Sequence, residues 1–136
     1  MSWGAETITA VKFNPAETSL FATCGTDRSI ILYDIRTNTP VSKSIMAMST
    51  NAIAWNPMEA LNFTTANEDH NCYTFDMRHL RNALSVAKGH VSAVLDIDYS
   101  PTGQEFVTGS YDKTVRIFKS RDGGSREVYH TQRMQR

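Results

Sequence analysis

Short runs of alternating apolar and polar residues occupy most of the chain, and residues that favour turns separate these runs. The clearest example is residues 89–119, where three runs are separated at residues 100–103 and 110–113. Alternation with a period of two is typical of β-strands, and the Gly, Pro, Asp and Ser residues between the runs suit tight turns. The pattern predicts an antiparallel meander of three strands, and no long helix is evident elsewhere in the chain.

The same arrangement occurs three times, with a period of about 40–45 residues. In each repeat a proline follows the first strand, an aspartate lies in the second turn, and an aromatic residue comes six positions after that aspartate. A weaker fourth strand is predicted near residues 40–47, 84–88 and 126–131, and segment 78–83 is assigned to no strand. The recurring residues are Pro15, Pro57 and Pro101, then Asp27, Asp69 and Asp112, and finally Tyr33, Phe75 and Phe118.

A repeat of this length that opens with Gly89-His90 and ends its third strand on an aromatic residue resembles one blade of a WD-repeat β-propeller. We therefore predict an all-β fold made of three such blades. The predicted blades are residues 1–47, 48–88 and 89–131, and the start of a basic C-terminal tail follows at residues 132–136.

Three blades are too few to close a propeller, which takes roughly four to eight. Each blade buries its faces against its neighbours, so three blades leave two apolar faces exposed. We expect either a piece of a longer propeller or a chain that completes a ring with further copies of itself. A start directly before the first blade and an end at Arg136 without a capping element favour the piece. The total number of blades is left open.

The composition is that of an ordinary globular domain, with 136 residues, 40% of them hydrophobic and 21% charged. No apolar run is long enough to cross a bilayer, and the first residues lack the features of a secretory signal. Cys24 and Cys72 are far apart and form no CxxC pair, so we interpret them as small strand residues in a reducing compartment. These observations indicate the cytosol or the nucleus.

Charge is distributed unevenly, although the net charge is zero. Residues 1–112 hold 7 Lys and Arg against 12 Asp and Glu, whereas residues 113–136 hold 7 against 2. A basic end on an acidic body can meet phosphate or an acidic protein surface. The alternative is a solvated charged strand followed by a solvated terminus.

Three polar residues of the third repeat match a hydrogen-bonded network that is structural in WD repeats, namely His90, Thr108 and Asp112. The fourth member is normally Trp, and Phe118 stands in its place. No nucleophile elbow, metal-ligand spacing or phosphate-binding glycine loop accompanies these residues. We predict that the chain is not an enzyme and has no cofactor or metal. The first two repeats lack the Gly-His pair, so their turn aspartates must bond other partners.

Two strand ends carry an aromatic residue, an aspartate and, two positions later, an arginine. Both arginines follow their turn aspartates by nine residues, so we expect them on the same rim, where a guanidinium can bond a carboxylate or backbone carbonyls. The pattern resembles the WDxR box by which WD-repeat substrate receptors dock onto the adaptor of cullin–RING ubiquitin ligases. A solvated rim arginine is the alternative. The predicted partner-binding residues are Tyr33, Asp34, Arg36, Phe75, Asp76 and Arg78.

Longer strings resemble the nucleolar WD-repeat and SOF-domain family over essentially the whole chain. They are FNP at 13–15, WNPMEA at 55–60, ANED at 66–69, YTFDMR at 73–78, HVSAVLD at 90–96 and REVYHT at 126–131.

The resemblance implies a scaffold of the small-subunit processome, which assembles and processes precursor ribosomal RNA in the nucleolus. The implied partners are processome proteins and the precursor particle, and whether the chain contacts RNA directly is left open. In that family the last strand leads into a basic region, whose beginning here would comprise Arg126, Arg133 and Arg136. Family members are also described as cullin–RING substrate receptors, which gives the alternative function.

Overall fold

Strands make up nearly all of the structure, which is a computed structural model. It describes residues 8–17, 19–25, 28–37, 39–45, 49–80, 83–88, 92–111, 113–120 and 125–130, except for the side chains of residues 39, 44, 45 and 125–130. The strands are β1 (Ile8–Phe13), β2 (Leu20–Gly25), β3 (Ser29–Asp34), β4 (Thr39–Ile45), β5 (Thr50–Trp55), β6 (Asn62–Asn67), β7 (Cys72–Asp76), β8 (Ser85–Ala87), β9 (Val94–Tyr99), β10 (Glu105–Ser110), β11 (Thr114–Lys119) and β12 (Ser125–His130).

The strands form three antiparallel sheets of four, with neighbouring strands in chain order. The first sheet contains β1–β4, the second β5–β8 and the third β9–β12. The prediction of an all-β fold of WD-propeller type is therefore confirmed, and the three weaker outer strands are present as β4, β8 and β12. Across the described ranges, the structure has no helix long and apolar enough to cross a membrane.

In all three sheets, one residue of the turn between the second and third strands has a left-handed backbone conformation. The residue that follows each predicted turn aspartate has a positive φ, which is 69° at Arg28, 76° at His70 and 67° at Lys113. Such angles are uncommon for residues other than glycine. Their recurrence at equivalent positions shows that the turn is set by the repeat rather than by the residue type.

The second sheet lies between the other two and is buried on both faces. Because side chains alternate along a strand, odd and even positions of β5 point to opposite neighbours. Ile53 and Trp55 pack against the first sheet, whereas Ala52 and Ala54 pack against the third. The second sheet thus packs large side chains onto the first sheet and small ones, mainly alanines, onto the third.

Each sheet also carries a ladder of three aromatic rings across its first three strands, with neighbouring ring centroids 5.1–5.7 Å apart. Such spacing permits tilted or offset contact between rings. In the second and third sheets the ladder is buried against the preceding sheet. The ladders are Phe13, Phe21 and Tyr33, then Trp55, Phe63 and Phe75, and finally Tyr99, Phe106 and Phe118.

The outer faces of the first and third sheets carry exposed apolar side chains. On the first sheet Val11 is 50% and Phe13 is 56% exposed, and on the third sheet Leu95 is 46% and Val107 is 38% exposed. The positions of Val11, Phe13 and Val107 correspond to Ile53, Trp55 and Thr64 of the second sheet, which are buried because a neighbouring sheet covers them. The exposure follows from the number of sheets, as expected from the repeat count.

Two asparagines join neighbouring sheets through their first turns. The Asn14 side-chain oxygen accepts two backbone N–H groups of its own turn, and its Nδ2 donates to the carbonyl of Ala60 in the second sheet at 2.8 Å. Asn56 repeats this arrangement and donates to the carbonyl of Gly103 in the third sheet at 3.1 Å. Gly103 has a φ of 72°, and a Cβ atom there would collide with the Asn56 side chain. The two bonds align the rim of all three sheets.

Candidate functional site

Two arginines lie at the rim formed by these turns, one on the first sheet and one on the second. Strands β3 and β7 end at Asp34 and Asp76, and the residue after each aspartate donates its N–H to the carbonyl that precedes the neighbouring strand, at 2.9 and 2.8 Å. The chain then turns, so Arg36 and Arg78 leave their sheets at equivalent positions. The shared register of the two repeats thus presents the same side chain twice.

Each arginine folds back onto the aspartate two positions before it. The first carboxylate oxygen of Asp34 accepts from the Arg36 backbone N–H at 2.9 Å and from its Nε at 3.1 Å, and the second oxygen accepts from Nη2 at 2.8 Å. Asp76 and Arg78 form the same three bonds at 2.9, 3.0 and 2.7 Å. The two sites are nearly superimposable forks, in which one edge of the guanidinium binds the carboxylate.

The forks keep both aspartates ionised. Hydrogen bonds from Arg36, above all those of its side chain, lower the pKa of Asp34 to about 2. The Arg78 side chain lowers the pKa of Asp76 in the same way, and each carboxylate raises the pKa of its arginine. The arginine side chains are 67% and 60% exposed, whereas the carboxylates are 10% and 12% exposed. The largely buried aspartates therefore orient the arginine side chains, which face solvent.

The aromatic residues of the two predicted boxes lie inside the sheets. Tyr33 is 6% and Phe75 is 3% exposed, and both belong to the aromatic ladders. They anchor the ends of β3 and β7 through contacts with neighbouring rings, and they offer little surface to a partner. Of the six predicted partner-binding residues, the structure brings the arginines to the surface.

The third sheet has a different rim. Strand β11 ends at Lys119 in place of an aspartate, and the next residue, Ser120, bonds the carbonyls of Gly103 and Gln104 through its hydroxyl at 2.9 and 3.1 Å. Arg121, which the sequence places near this rim, lies outside the described residues. The Asp–Arg fork is therefore a feature of the first two sheets in the part of the chain that the structure describes.

Comparison with known proteins places the chain in a family. The WD domain, G-beta repeat family matches residues 3–34 and 81–119, together 71 of the 136 residues. The chain belongs to the WD-repeat family. The family pattern covers the first repeat and much of the third but little of the second, although the second sheet has the same four strands.

The resemblance to SOF-type WD-repeat proteins is also confirmed. The chain is 62% identical over 135 residues to Protein SOF1 of Saccharomyces cerevisiae, with 99% of this chain and 28% of the relative covered. It is 58% identical to the DDB1- and CUL4-associated factor 13 of Xenopus tropicalis, and 59% identical to that of Dictyostelium discoideum. Those matches cover 98% and 100% of this chain, and 30% and 31% of the relatives. The chain thus spans less than a third of the length of these relatives.

The WD-type polar network predicted for the third repeat falls partly outside the described residues. His90 and Asp112 are among those that the structure does not describe. Thr108 is 1% exposed, and its hydroxyl donates to the carbonyl of Arg116 at 3.5 Å, across β10 and β11. Of the predicted basic tail, Arg126 lies on β12 with its side chain outside the description, and Arg133 and Arg136 are not described.

The second WD repeat has a polar network that the sequence reading missed. The Asn67 side chain accepts a hydrogen bond from Thr65 at 2.7 Å and donates one to Thr50 at 2.9 Å, and all three residues are fully buried. The turn aspartate, Asp69, bonds the hydroxyl of Tyr73. This aspartate was predicted to need a partner other than His, and the tyrosine is that partner. The sequence signal for this bond was the tyrosine at position 73, four residues after the turn aspartate.

Reactive side chains are few in the WD-repeat sheets. Burial raises the pKa of Cys24 to about 11 and that of Cys72 to about 12, so both thiols stay protonated and act as small apolar groups. In the described part of the chain, no three His, Cys, Asp or Glu residues lie close enough together to hold a metal ion. What the site offers chemically is hydrogen-bond donation by two exposed guanidinium groups.

Proposed function

We propose that the chain is a non-catalytic WD-repeat scaffold in ribosomal small-subunit biogenesis, acting in the nucleolus on the particle that carries precursor ribosomal RNA. The observation that carries this proposal is the identity to SOF-type relatives, which extends over 98–100% of the chain in the three relatives described. The structure supports a scaffold because its distinctive surfaces are apolar sheet faces and rim arginines. Both are surfaces that bind proteins.

The basic end is the part of the chain that we assign to the RNA-containing particle. Arg126, Arg133 and Arg136 carry positive charge without a matching set of carboxylates. Lys and Arg that neutralise phosphates release counterions, so binding weakens as salt rises. The test is sedimentation of the tagged protein with precursor ribosomal particles at low and moderate salt.

Replacement of the three arginines by Gln should reduce co-sedimentation and its salt dependence. The matched control is the double variant Arg36→Ala with Arg78→Ala, which removes positive charge from the rim and should leave co-sedimentation unchanged. Absence of the wild-type protein from precursor particles would contradict the scaffold proposal.

A second function, substrate receptor of a cullin–RING ubiquitin ligase, is favoured by the two forks. They hold two exposed arginines in one geometry at one rim, and several relatives are named DDB1- and CUL4-associated factor 13. We propose that the rim docks onto DDB1 as the ligase adaptor. In a pull-down with purified DDB1, the double arginine variant should bind at least about tenfold more weakly than wild type. Equal binding by both proteins would exclude the forks as the docking site.

The two open sheet faces are proposed to be covered by further propeller blades or by other copies of this chain. The first sheet leaves an aromatic ladder partly exposed, and the third sheet exposes Leu95 and Val107, so a further sheet can bury apolar surface on either side. Light scattering of the 136-residue chain should therefore show association that increases with concentration. A monodisperse monomer with a cooperative melt would contradict this proposal.

A further inference from the structure

A crevice of about 290 Å³ opens beside Arg78, between the outer part of the first sheet and the rim of the second. Leu32 and Trp55, which are 4% and 7% exposed, form its floor. Val41 stands at its edge and is 58% exposed. It is lined mainly by apolar residues, namely Leu20, Leu32, Val41, Trp55 and Met77, together with Ser42 and Arg78.

The size and lining of the crevice suit one large apolar side chain. Its volume lies just below the range of small-molecule sites, which runs from about 300 to 1,000 Å³. Val41 leaves apolar surface in water beside the nearly buried Trp55, and an apolar side chain inserted there would remove that surface from solvent. A single anchor of a protein partner therefore fits better than a larger ligand.

The guanidinium of Arg78 adds a directed polar group at the edge of this crevice. Its Nε and one N–H of Nη2 bind Asp76, and its Nη1 bonds nothing among the described residues. The charge of the arginine is already balanced by Asp76, so a second carboxylate would be repelled by the first. The acceptor that suits the free edge is an uncharged backbone carbonyl.

The crevice beside Arg78 is built largely from the sheet that precedes its own, through Leu20, Leu32 and Val41. Arg36 forms the same fork on the first sheet. The inference concerns Arg78, whose apolar surroundings the structure describes.

We propose that this crevice, together with Arg78, binds an extended peptide segment of DDB1, with an apolar side chain between Val41 and Trp55 and the adjacent backbone carbonyl accepting from Nη1 of Arg78. The inference rests on the second proposed function, since that function supplies the partner. It adds the apolar anchor and the neutral acceptor.

The test measures binding of purified DDB1 to the 136-residue chain by calorimetry. Val41→Asp should lower the affinity by about tenfold or more, because it places a charge at the edge of the apolar crevice. The matched control is Leu84→Asp, since Leu84 is 59% exposed, precedes the outer strand of the second sheet and does not line the crevice. That variant should change the affinity by less than about twofold.

Two further measurements test the polar half of the proposal. Arg78→Lys keeps the charge but loses the fork, so it should also weaken binding about tenfold. Affinity should change by less than about twofold between roughly 0.1 and 0.5 M salt, because the acceptor is neutral. Wild-type binding with no loss in Val41→Asp overturns this inference and leaves the receptor function standing. No binding by wild type overturns both.

Discussion

The second sheet is covered on both faces, whereas the first and third sheets each leave one face to solvent. The same aromatic ladder occurs in the first and second sheets, and its central ring is Phe21 in one and Phe63 in the other. Phe63 is 0% exposed, and Phe21 is partly exposed. The comparison shows that equivalent aromatic ladders can contribute differently to the free energy of unfolding. Neighbouring sheets determine how much of the apolar surface of each ladder is removed from water.

The largest expected effect tests this difference at the two central rings. Phe63→Ala removes a ring that contacts Trp55 on one side and Phe75 on the other, and it should lower the free energy of unfolding by about 3–5 kcal/mol. Phe21→Ala removes the equivalent ring of the first sheet, which contacts Phe13 and Tyr33 and lies on an open face. The loss in the free energy of unfolding should therefore be about 1–2 kcal/mol smaller. Urea denaturation at low protein concentration measures both.

A concentration series supplies the control for that experiment. If copies of the chain cover the open face, the cost of Phe21→Ala should increase with protein concentration, whereas that of Phe63→Ala should stay constant. If both variants lost the same free energy of unfolding at every concentration, the covering of a sheet face would not determine how much its aromatic ladder stabilises the fold.

A smaller effect is expected from the polar network of the second sheet. Asn67→Ala would leave the buried hydroxyls of Thr50 and Thr65 without their shared partner, which should cost about 1–3 kcal/mol. Tyr73→Phe removes one bond to the turn aspartate at a partly buried position, and it should cost less than about 1.5 kcal/mol. A larger loss in Tyr73→Phe than in Asn67→Ala would show that the turn bond, rather than the buried network, holds this repeat together.

The fold could be predicted from the sequence because its signal is repeated three times. Strand alternation and turn residues are local, and their recurrence at a period of about 40–45 residues identifies the propeller blade. The second repeat has almost no match to the family pattern, yet Ile53 and Trp55 keep the alternation that faces the first sheet. The fold therefore depends more on the spacing of the buried apolar positions than on the identity of the polar residues.

The site was predictable only in part, since its geometry depends on contacts that strand patterns do not specify. The arginines at 36 and 78 stand out because their spacing from the turn aspartates is the same. That each would bind the aspartate two positions before it depends on the conformation of the turn after the strand. The crevice beside Arg78 joins Val41 to Trp55, which lie in different repeats, and no local pattern relates them.

The smallest expected effect concerns the two Asp–Arg forks at the rim, which should behave alike in the open first sheet and in the covered second sheet. The pKa of Asp34 is about 2, below its ordinary value of 3.8, and Asp76 is shifted in the same direction. A carboxyl whose pKa is lower in the folded state stabilises the protein above its unfolded pKa, and this contribution is lost as pH falls from about 4 towards 2. Carboxyl-detected NMR titration of the folded chain should therefore give low midpoints for both aspartates, although one sheet is covered and the other open.

The matched variants locate the cause of these low midpoints. Arg36→Gln should raise the midpoint of Asp34 towards 3.8 and leave Asp76 unchanged, and Arg78→Gln should do the reverse, because each shift comes first from the side chain of its own arginine. Thermal unfolding of either variant should depend less steeply on pH between about 4 and 2 than that of wild type. A midpoint of Asp34 near 3.8 in the wild-type chain would mean that the fork on the open sheet does not form in solution, and that covering by a neighbouring sheet determines the rim as well as the core.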